Sequence, residues 1–262
     1  MKFSNSLIGI LNFLTLIISI PILVFGVWLS KHSYSECDAW LGKFIISLGV
    51  FLLVVSLMGF IGACCRVSCI LCFYLIVILL LIILLFSFAI FAFVVTNKGA
   101  GETLPNKGYK EYRLGSYSNW LQNRVNNNNN WNTIKSCFQS QHLCSNFHYQ
   151  FANDNVDQFY TEHLSPLQSG CCKPSNDCSF TYQNPTTWTK TRNVTYTNPD
   201  CDAWTNDPNI LCFDCQSCKA GLLQTLQNVW KKVSDVNFII LIFLVIMCSI
   251  GCCAFKNNRR YF

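Results

Sequence analysis

Charge is what this sequence has least of. Asp, Glu, Lys and Arg make up 12% of its 262 residues, about half the roughly 25% usual in soluble domains. That scarcity excludes a disordered polyelectrolyte and an ordinary soluble enzyme. Histidine is scarce as well, and the four present (His32, His142, His148 and His163) show no metal-ligand spacing. A G-x-S-x-G elbow is absent too, so no catalytic residue, metal or cofactor is expected. With 13 glycines and 7 prolines a collagen-like repeat is excluded. What the chain has instead is 52% hydrophobic residues, 21 phenylalanines, 7 tryptophans and 17 cysteines.

The apolar residues fall in four blocks. Phe3 to Ser30, Phe44 to Cys65, Val67 to Asn97 and Val236 to Phe255 hold 28, 22, 31 and 20 residues without a single Asp, Glu, Lys or Arg. About 20 apolar residues at 1.5 Å rise cross a hydrocarbon core of about 30 Å, and a charge at a helix centre costs roughly 2.5–3.5 kcal/mol on insertion scales. Four transmembrane helices are expected. The first block is too long for a signal peptide and has no A-x-A-like exit site, so it reads as a retained span.

The connections are unequal. A loop at 31–43 joins the first two spans, a tight turn at 66–69 the next two, and a 140-residue loop at 96–235 the last two. The ends, including the tail at 256–262, and the tight turn carry Lys2, Arg66, Lys256, Arg259 and Arg260 with no acid. Short basic segments stay cytoplasmic while long loops cross regardless of charge. Both termini are therefore expected in the cytosol, and the net charge of +6 is a topology signal, not a nucleic-acid footprint.

On that topology ten cysteines lie outside: Cys37, Cys137, Cys144, Cys171, Cys172, Cys178, Cys201, Cys212, Cys215 and Cys218. Ten is even, as a disulfide framework in an oxidising compartment requires. Adjacent Cys171 and Cys172 hardly pair with each other, so each should reach a different part of the loop; about 945 pairings remain open by the counting rule. Cys212-x2-Cys215-x2-Cys218 looks like a redox or zinc motif but is read as structural disulfides in this compartment. Asn193-Val194-Thr195 is an N-glycosylation sequon in the same loop.

The remaining thiols flank the inner boundary. Cys64, Cys65, Cys69 and Cys72 surround the tight turn, and Cys252 and Cys253, with the deeper Cys248, end the fourth span. Cytosolic thiols at a membrane boundary are acylation candidates; a metal site or inert thiols are the alternatives.

Within the spans, Gly9, Asn12, Leu16, Ser19, Leu23 and Gly26 recur at heptad spacing, as do Gly49, Leu52, Ser56, Gly59 and Ala63. Small residues let helix backbones approach where lipid removes the hydrophobic drive, so spans one and two should pack closely. Asn12 has two readings: a hydrogen bond across helices, or a lining group of a pocket for a sterol-like lipid. Span three is nearly continuous Leu, Ile, Phe and Val, suiting lipid or helix contact.

In the large loop, Leu114, Tyr117, Leu121 and Val125 predict one helix over 108–125 continuing from span three. Asn126 to Asn130 reads as a break, Ile134, Cys137 and Phe138 as a helix, and 156–164 as another that stops at Ser165-Pro166. From Cys172 to about Cys212 the pattern is irregular. Leu222, Thr225, Leu226 and Val229 predict the inward face of a helix entering span four.

These motifs together resemble the tetraspanin family, in its plant-type form. The resemblance rests on Gly170-Cys171-Cys172-Lys173-Pro174, Leu11-Asn12-Phe13-Leu14, the extra Cys37, and Cys215-Gln216-Ser217-Cys218-Lys219-Ala220-Gly221, and it covers essentially the whole chain. One departure is the lack of the span-three carboxylate that many animal members carry. The resemblance implies an all-α integral membrane protein of four helices, with a disulfide-stapled, mainly helical extracellular loop between helices 3 and 4. It implies a non-enzymatic scaffold that associates laterally with other tetraspanins, receptors or adhesion proteins as homo- or hetero-oligomers. The plasma membrane is the expected location, with endosomes or vesicles as others, and plant cell differentiation and cell-cell contact the expected setting. Partner contact is expected over 175–211, where Trp188 and Trp204 serve either as contacts or as core. A pore or junction protein of four helices is the competing class, but the 31–43 loop is short for it.

Overall fold

Four helices of the computed structural model are long and apolar enough to cross a membrane. The structure describes residues 2–32, 36–65, 67–99, 101–191 and 195–259. Helix α1 spans Lys2–Lys31, α2 Glu36–Cys64 and α3 Ser68–Thr96. The fourth apolar run lies within α10, Gln216–Arg259, a 44-residue helix. Helix α2 already starts at Glu36, inside the connection expected at 31–43, and α10 starts twenty residues before Val236, as a helix leading into span four requires. Backbone hydrogen bonding carries a helix past the point where the apolar run stops, so a hydropathy boundary need not be a helix boundary.

The chain divides into two compact units, a span unit (1–90 with 234–262) and a cystine unit (91–233).

In the span unit, α1 lies along α2 through the small-residue seam. A side chain at Gly49 would meet Leu23 Cδ2 at 2.8 Å, one at Gly26 would meet Ile45 and Ile46 at 3.0 Å, and one at Gly9 would meet Cys64 Sγ at 3.3 Å. Gly59 leaves a notch that the Asn12 amide fills. Ser19, Ser56 and Ala63 are buried, and the two hydroxyls donate back to Leu16 O and Leu53 O at 2.7 and 3.0 Å. Asn12 Nδ2 donates to Ile8 O at 2.9 Å and across to the Tyr74 hydroxyl of α3 at 3.3 Å. Beside α1 and α2, a cleft of about 590 Å³ is lined by Gly9, Ile10, Phe13, Phe60, Ala63 and Cys64. Asn12 is not among the residues that line this cleft. Ile8, Val55, Leu71, Tyr74, Ile78 and Ala254 complete the buried cluster.

Replacing Gly59 by valine sets a branched side chain on the Asn12 amide. Overpacking of this kind costs about 1–3 kcal/mol, and the expected result is a lower thermal midpoint of the detergent-solubilised protein. An unchanged midpoint would mean that the seam has slack.

The cystine unit is where the sequence reading needs most correction. Instead of one helix over 108–125, residues Glu102–Thr103 (β1) pair antiparallel with Lys110–Glu111 (β2), a 3-10 turn covers Leu114–Ser116, and α4 is only Asn119–Asn126. Leu114, Tyr117, Leu121 and Val125 are all buried; the apolar spacing located the inward residues but not the backbone that presents them. Gly99, at φ +112°, turns the chain away from α3, a conformation that favours glycine. Helix α5 is Asn128–Ser140, with the Asn127 side chain accepting from Asn129 N and Asn130 N. The asparagine run is thus a break and then a cap. Helix α6 follows at Leu143–Gln150.

Next, α7, Val156–Thr161, ends before Ser165, and Pro166 opens α8, Pro166–Cys171. Proline suits the first turn of a helix because its missing N–H needs no partner there. Ser165 and Gln168 form a capping box that fixes this start. The stretch read as irregular holds a hairpin, β3 Thr181–Asn184 with β4 Thr187–Thr189, and a short helix α9, Asp200–Ala203. In the part of α10 before residue 230 the buried positions are Cys218, Ala220, Gly221, Leu223, Gln224 and Gln227, while Leu222, Thr225 and Leu226 are half-buried and Val229 is exposed. The inward face is rotated because two glutamines, invisible to a hydrophobic pattern, occupy it. Tyr117 donates to Gln224 Oε1 at 3.0 Å, and Gln227 donates to Lys98 O.

Candidate functional site

The paired cysteines end α8 and anchor the cystine unit. Cys171 bonds Cys218, and Cys172 bonds Cys144. Cys178 bonds Cys201 and Cys212 bonds Cys215. Cys137 is also disulfide-bonded. The Cys37 side chain and Asn193 lie outside the described residues. All eight sulfurs of the four named bridges belong to residues no more than 2% exposed. Cys212-x2-Cys215-x2-Cys218 therefore holds one short internal bridge and one long one, and no cluster suited to a metal occurs among the described residues.

Two glycines allow α8 and the start of α10 to touch. A side chain at Gly170 would collide with the Ser217 carbonyl, and one at Gly221 with the Pro166 carbonyl. Ser217 Oγ donates to Gly170 O at 3.0 Å across this contact. Asp200 closes the assembly from below in sequence: its two oxygens accept from Gln216 N at 2.7 Å and Ser217 N at 2.8 Å. A buried carboxylate at a helix N-terminus both satisfies orphan N–H groups and meets the positive end of the macrodipole. Sequence reasoning missed Asp200 because the cap comes from 16 residues away, whereas local capping signals lie within a few residues.

Lys173, next to the cysteine pair, is 1% exposed. Its ammonium donates to Glu111 Oε1 at 2.9 Å and to Pro174 O at 3.2 Å, and lies 4.6 Å from the Tyr109 ring centre. Glu111 also accepts from Asn176 N at 2.8 Å and Ser175 Oγ at 3.2 Å. Burial alone would raise the Glu111 pKa, but the Lys173 charge and these hydrogen bonds outweigh it and hold the carboxyl below its usual range. Nearby, Lys107 sits over the Tyr160 ring, 2.8 Å from its centre; burial and the Lys173 charge bring its pKa down to about 8. Burial likewise pushes the Tyr109 hydroxyl up, so it stays neutral.

Trp188 and Trp204 are core, at 4% and 1% exposure. Asn206 ties them together: its Oδ1 accepts from Trp188 N at 3.0 Å and Trp204 Nε1 at 3.1 Å, and its Nδ2 donates to Trp188 O. Trp188 also packs edge-on against Phe159 and Tyr182 at 6.1 and 5.1 Å. As contacts for a partner they are unavailable. Outside α3 and α10, the large apolar groups this unit exposes are Tyr149, 79% exposed, with Trp120, Val156 and Ile210. Tyr149 lies two positions after the buried Phe147 on α6, which turns it to the opposite face of the helix.

In the span unit, Cys64, Cys65, Cys69, Cys72, Cys248, Cys252 and Cys253 are all free thiols, most of them exposed.

A four-span membrane protein with a cystine-bonded unit between spans three and four is the class this geometry defines. The Tetraspanin family model matches residues 4–256. Tetraspanin-8 of Arabidopsis thaliana is 58% identical over 98% of this chain and 94% of that protein. Tetraspanin-7 of the same plant is 57% identical, covering 98% of this chain and 97% of its own. Protein TORNADO 2 from Arabidopsis is 41% identical over 98% and 94%. The chain belongs to the tetraspanin family. It is a multi-pass membrane protein, and its family consists of non-enzymatic membrane scaffolds that associate with other membrane proteins and with one another.

Proposed function

We propose that this tetraspanin organises lateral assemblies in the plasma membrane, with both termini in the cytosol and the 96–235 loop outside the cell. Residues 1–95 and 236–255 would supply the spans, and 256–262 the inner tail. Other tetraspanins, receptors or adhesion proteins are its partners, and membrane lipids its surroundings. The setting is plant cell differentiation and cell-cell contact.

One observation carries the reading: the cysteines divide by chemistry. Every bridge described lies in the cystine unit, and the seven free thiols lie at the tight turn and the end of the fourth span. Cystines persist in oxidising compartments and thiols in reducing ones, which supports opposite sides of a bilayer. The thiols Cys64, Cys65, Cys69, Cys72, Cys252 and Cys253 are then acyl acceptors at the inner boundary. Each buried CH2 of a chain adds about 0.8 kcal/mol of membrane affinity.

Serine at all six positions is expected to abolish labelling in an acyl-exchange assay and to weaken co-purification of neighbouring tetraspanins severalfold, with the disulfides intact. Full acyl incorporation in that variant would defeat the assignment. The purified protein in liposomes is expected to pass no current.

A further inference from the structure

Trp120 stands on α4 beside the outer turns of α3. Leu121 and Val125 of α4 point into the core of the cystine unit, leaving Trp120 and Arg124, also one turn apart, on the neighbouring face. Trp120 is 42% exposed, and its ring meets Phe91 of α3 edge-on with centroids 5.3 Å apart. The Arg124 guanidinium lies 5.1 Å from the Trp120 ring centre. Among the described residues no carboxylate is paired with Arg124.

Depth decides what covers this face. Helix α3 has 29 residues, or about 43 Å at 1.5 Å per residue. That equals a whole bilayer of about 40–45 Å including headgroups, so the ends of α3 reach the outer limit of the headgroup layers. Phe91 lies five residues inside Thr96, roughly 7.5 Å in. The headgroup layer on each side is about 6 Å thick, which puts Phe91, and the tryptophan against it, at the border between headgroups and hydrocarbon. Tryptophan is enriched at that level because its ring is apolar and its N–H polar. A guanidinium there has lipid phosphates within reach and binds them in a bidentate manner.

We propose that Trp120 and Arg124 form a lipid-binding surface on the cystine unit, with the indole lying at the glycerol level of the leaflet next to Thr96 and the guanidinium on a phospholipid phosphate. The proposal requires that α3 spans a bilayer; it does not depend on which side of the cell membrane the unit faces.

The test uses the full chain in bilayers containing phosphatidylcholine brominated at a series of depths. Seven tryptophans emit, so the Trp120 component is taken as the difference between the native protein and Trp120→Phe, a conservative change at a half-exposed site. Bromines nearest the glycerol are expected to quench this component at least twofold more than bromines near the chain ends. In Arg124→Gln the shallow quenching is expected to fall by half or more. A difference component indifferent to bromine at every depth, yet quenched by aqueous acrylamide, would overturn the proposal. Unchanged quenching in Arg124→Gln would overturn the phosphate contact.

Discussion

Removing the Cys171–Cys218 bridge by Cys171→Ala with Cys218→Ala is expected to destabilise the cystine unit by about 4 kcal/mol. The two residues are 47 apart in sequence, and cross-linking a loop of that length removes roughly 13–14 cal/mol/K from the unfolded chain. Changing both partners avoids leaving one buried thiol alone. Domains are stable by only about 5–15 kcal/mol, so the loss should lower the thermal midpoint by about 12–16 °C. Near-ultraviolet circular dichroism of the buried tryptophans and resistance to protease would both report it. The Cys212–Cys215 bridge is the internal control, because its partners are only 3 apart. By the same formula its loss costs about 2 kcal/mol. If the short bridge proved the costlier of the two, the chain-entropy account would be wrong and local strain or packing would have to replace it.

Lys173→Met is expected to cost about as much, for a different reason. Breaking a buried ion pair by removing one partner typically costs about 3–5 kcal/mol, because the other charge stays buried without compensation. Here Glu111 would keep its hydrogen bonds from Asn176 N and Ser175 Oγ but lose its counter-charge. The double variant Lys173→Met with Glu111→Gln is expected to recover a large part of that loss, since the uncompensated charge is gone. A double variant as unstable as the single one would show that the lysine stem, not its charge, holds the site. The pair also sets an acid limit. The folded-state pKa of Glu111 is depressed, so its contribution is present above the unfolded value near 4.5 and is lost as pH falls through the lower folded one. Denaturant midpoints measured downward from pH 5 should fall, and fall less in Glu111→Gln.

The sequence made the spans legible because the bilayer imposes a single rule on every residue of a span: no uncompensated charge. The Gly49 and Gly59 seam was legible for a similar reason, since side-chain volume alone decides how near two backbones come. The loop obeys no such uniform constraint. Tyr117 and Leu121 carry the inward pattern of a helix, yet they reach the core from a turn and a short helix, because the β1–β2 pair and Gly99 redirect the chain between them. The buried face of α10 includes Gln224 and Gln227, each of which makes one hydrogen bond to a residue more than a hundred positions away: Gln224 Oε1 accepts from Tyr117 and Gln227 Nε2 donates to Lys98 O. Lys173 was visible as part of a motif but not as a buried cation, because its partner Glu111 sits 62 positions earlier. Long-range pairing of polar groups leaves no periodic trace.

The α1–α2 seam has a consequence for how the spans can vary. Where Asn12 occupies the notch at Gly59, no acyl chain can enter, so the fit is between protein and protein and one added methyl is felt. Leu80 and Leu84, in the middle of α3, are at least 60% exposed, and in a bilayer they meet lipid tails that resemble them chemically. Exchange among leucine, isoleucine and phenylalanine at those positions should be close to neutral, while the seam tolerates almost none. Over generations the third helix is free to drift within one chemical class, and the first two are held to their steric register.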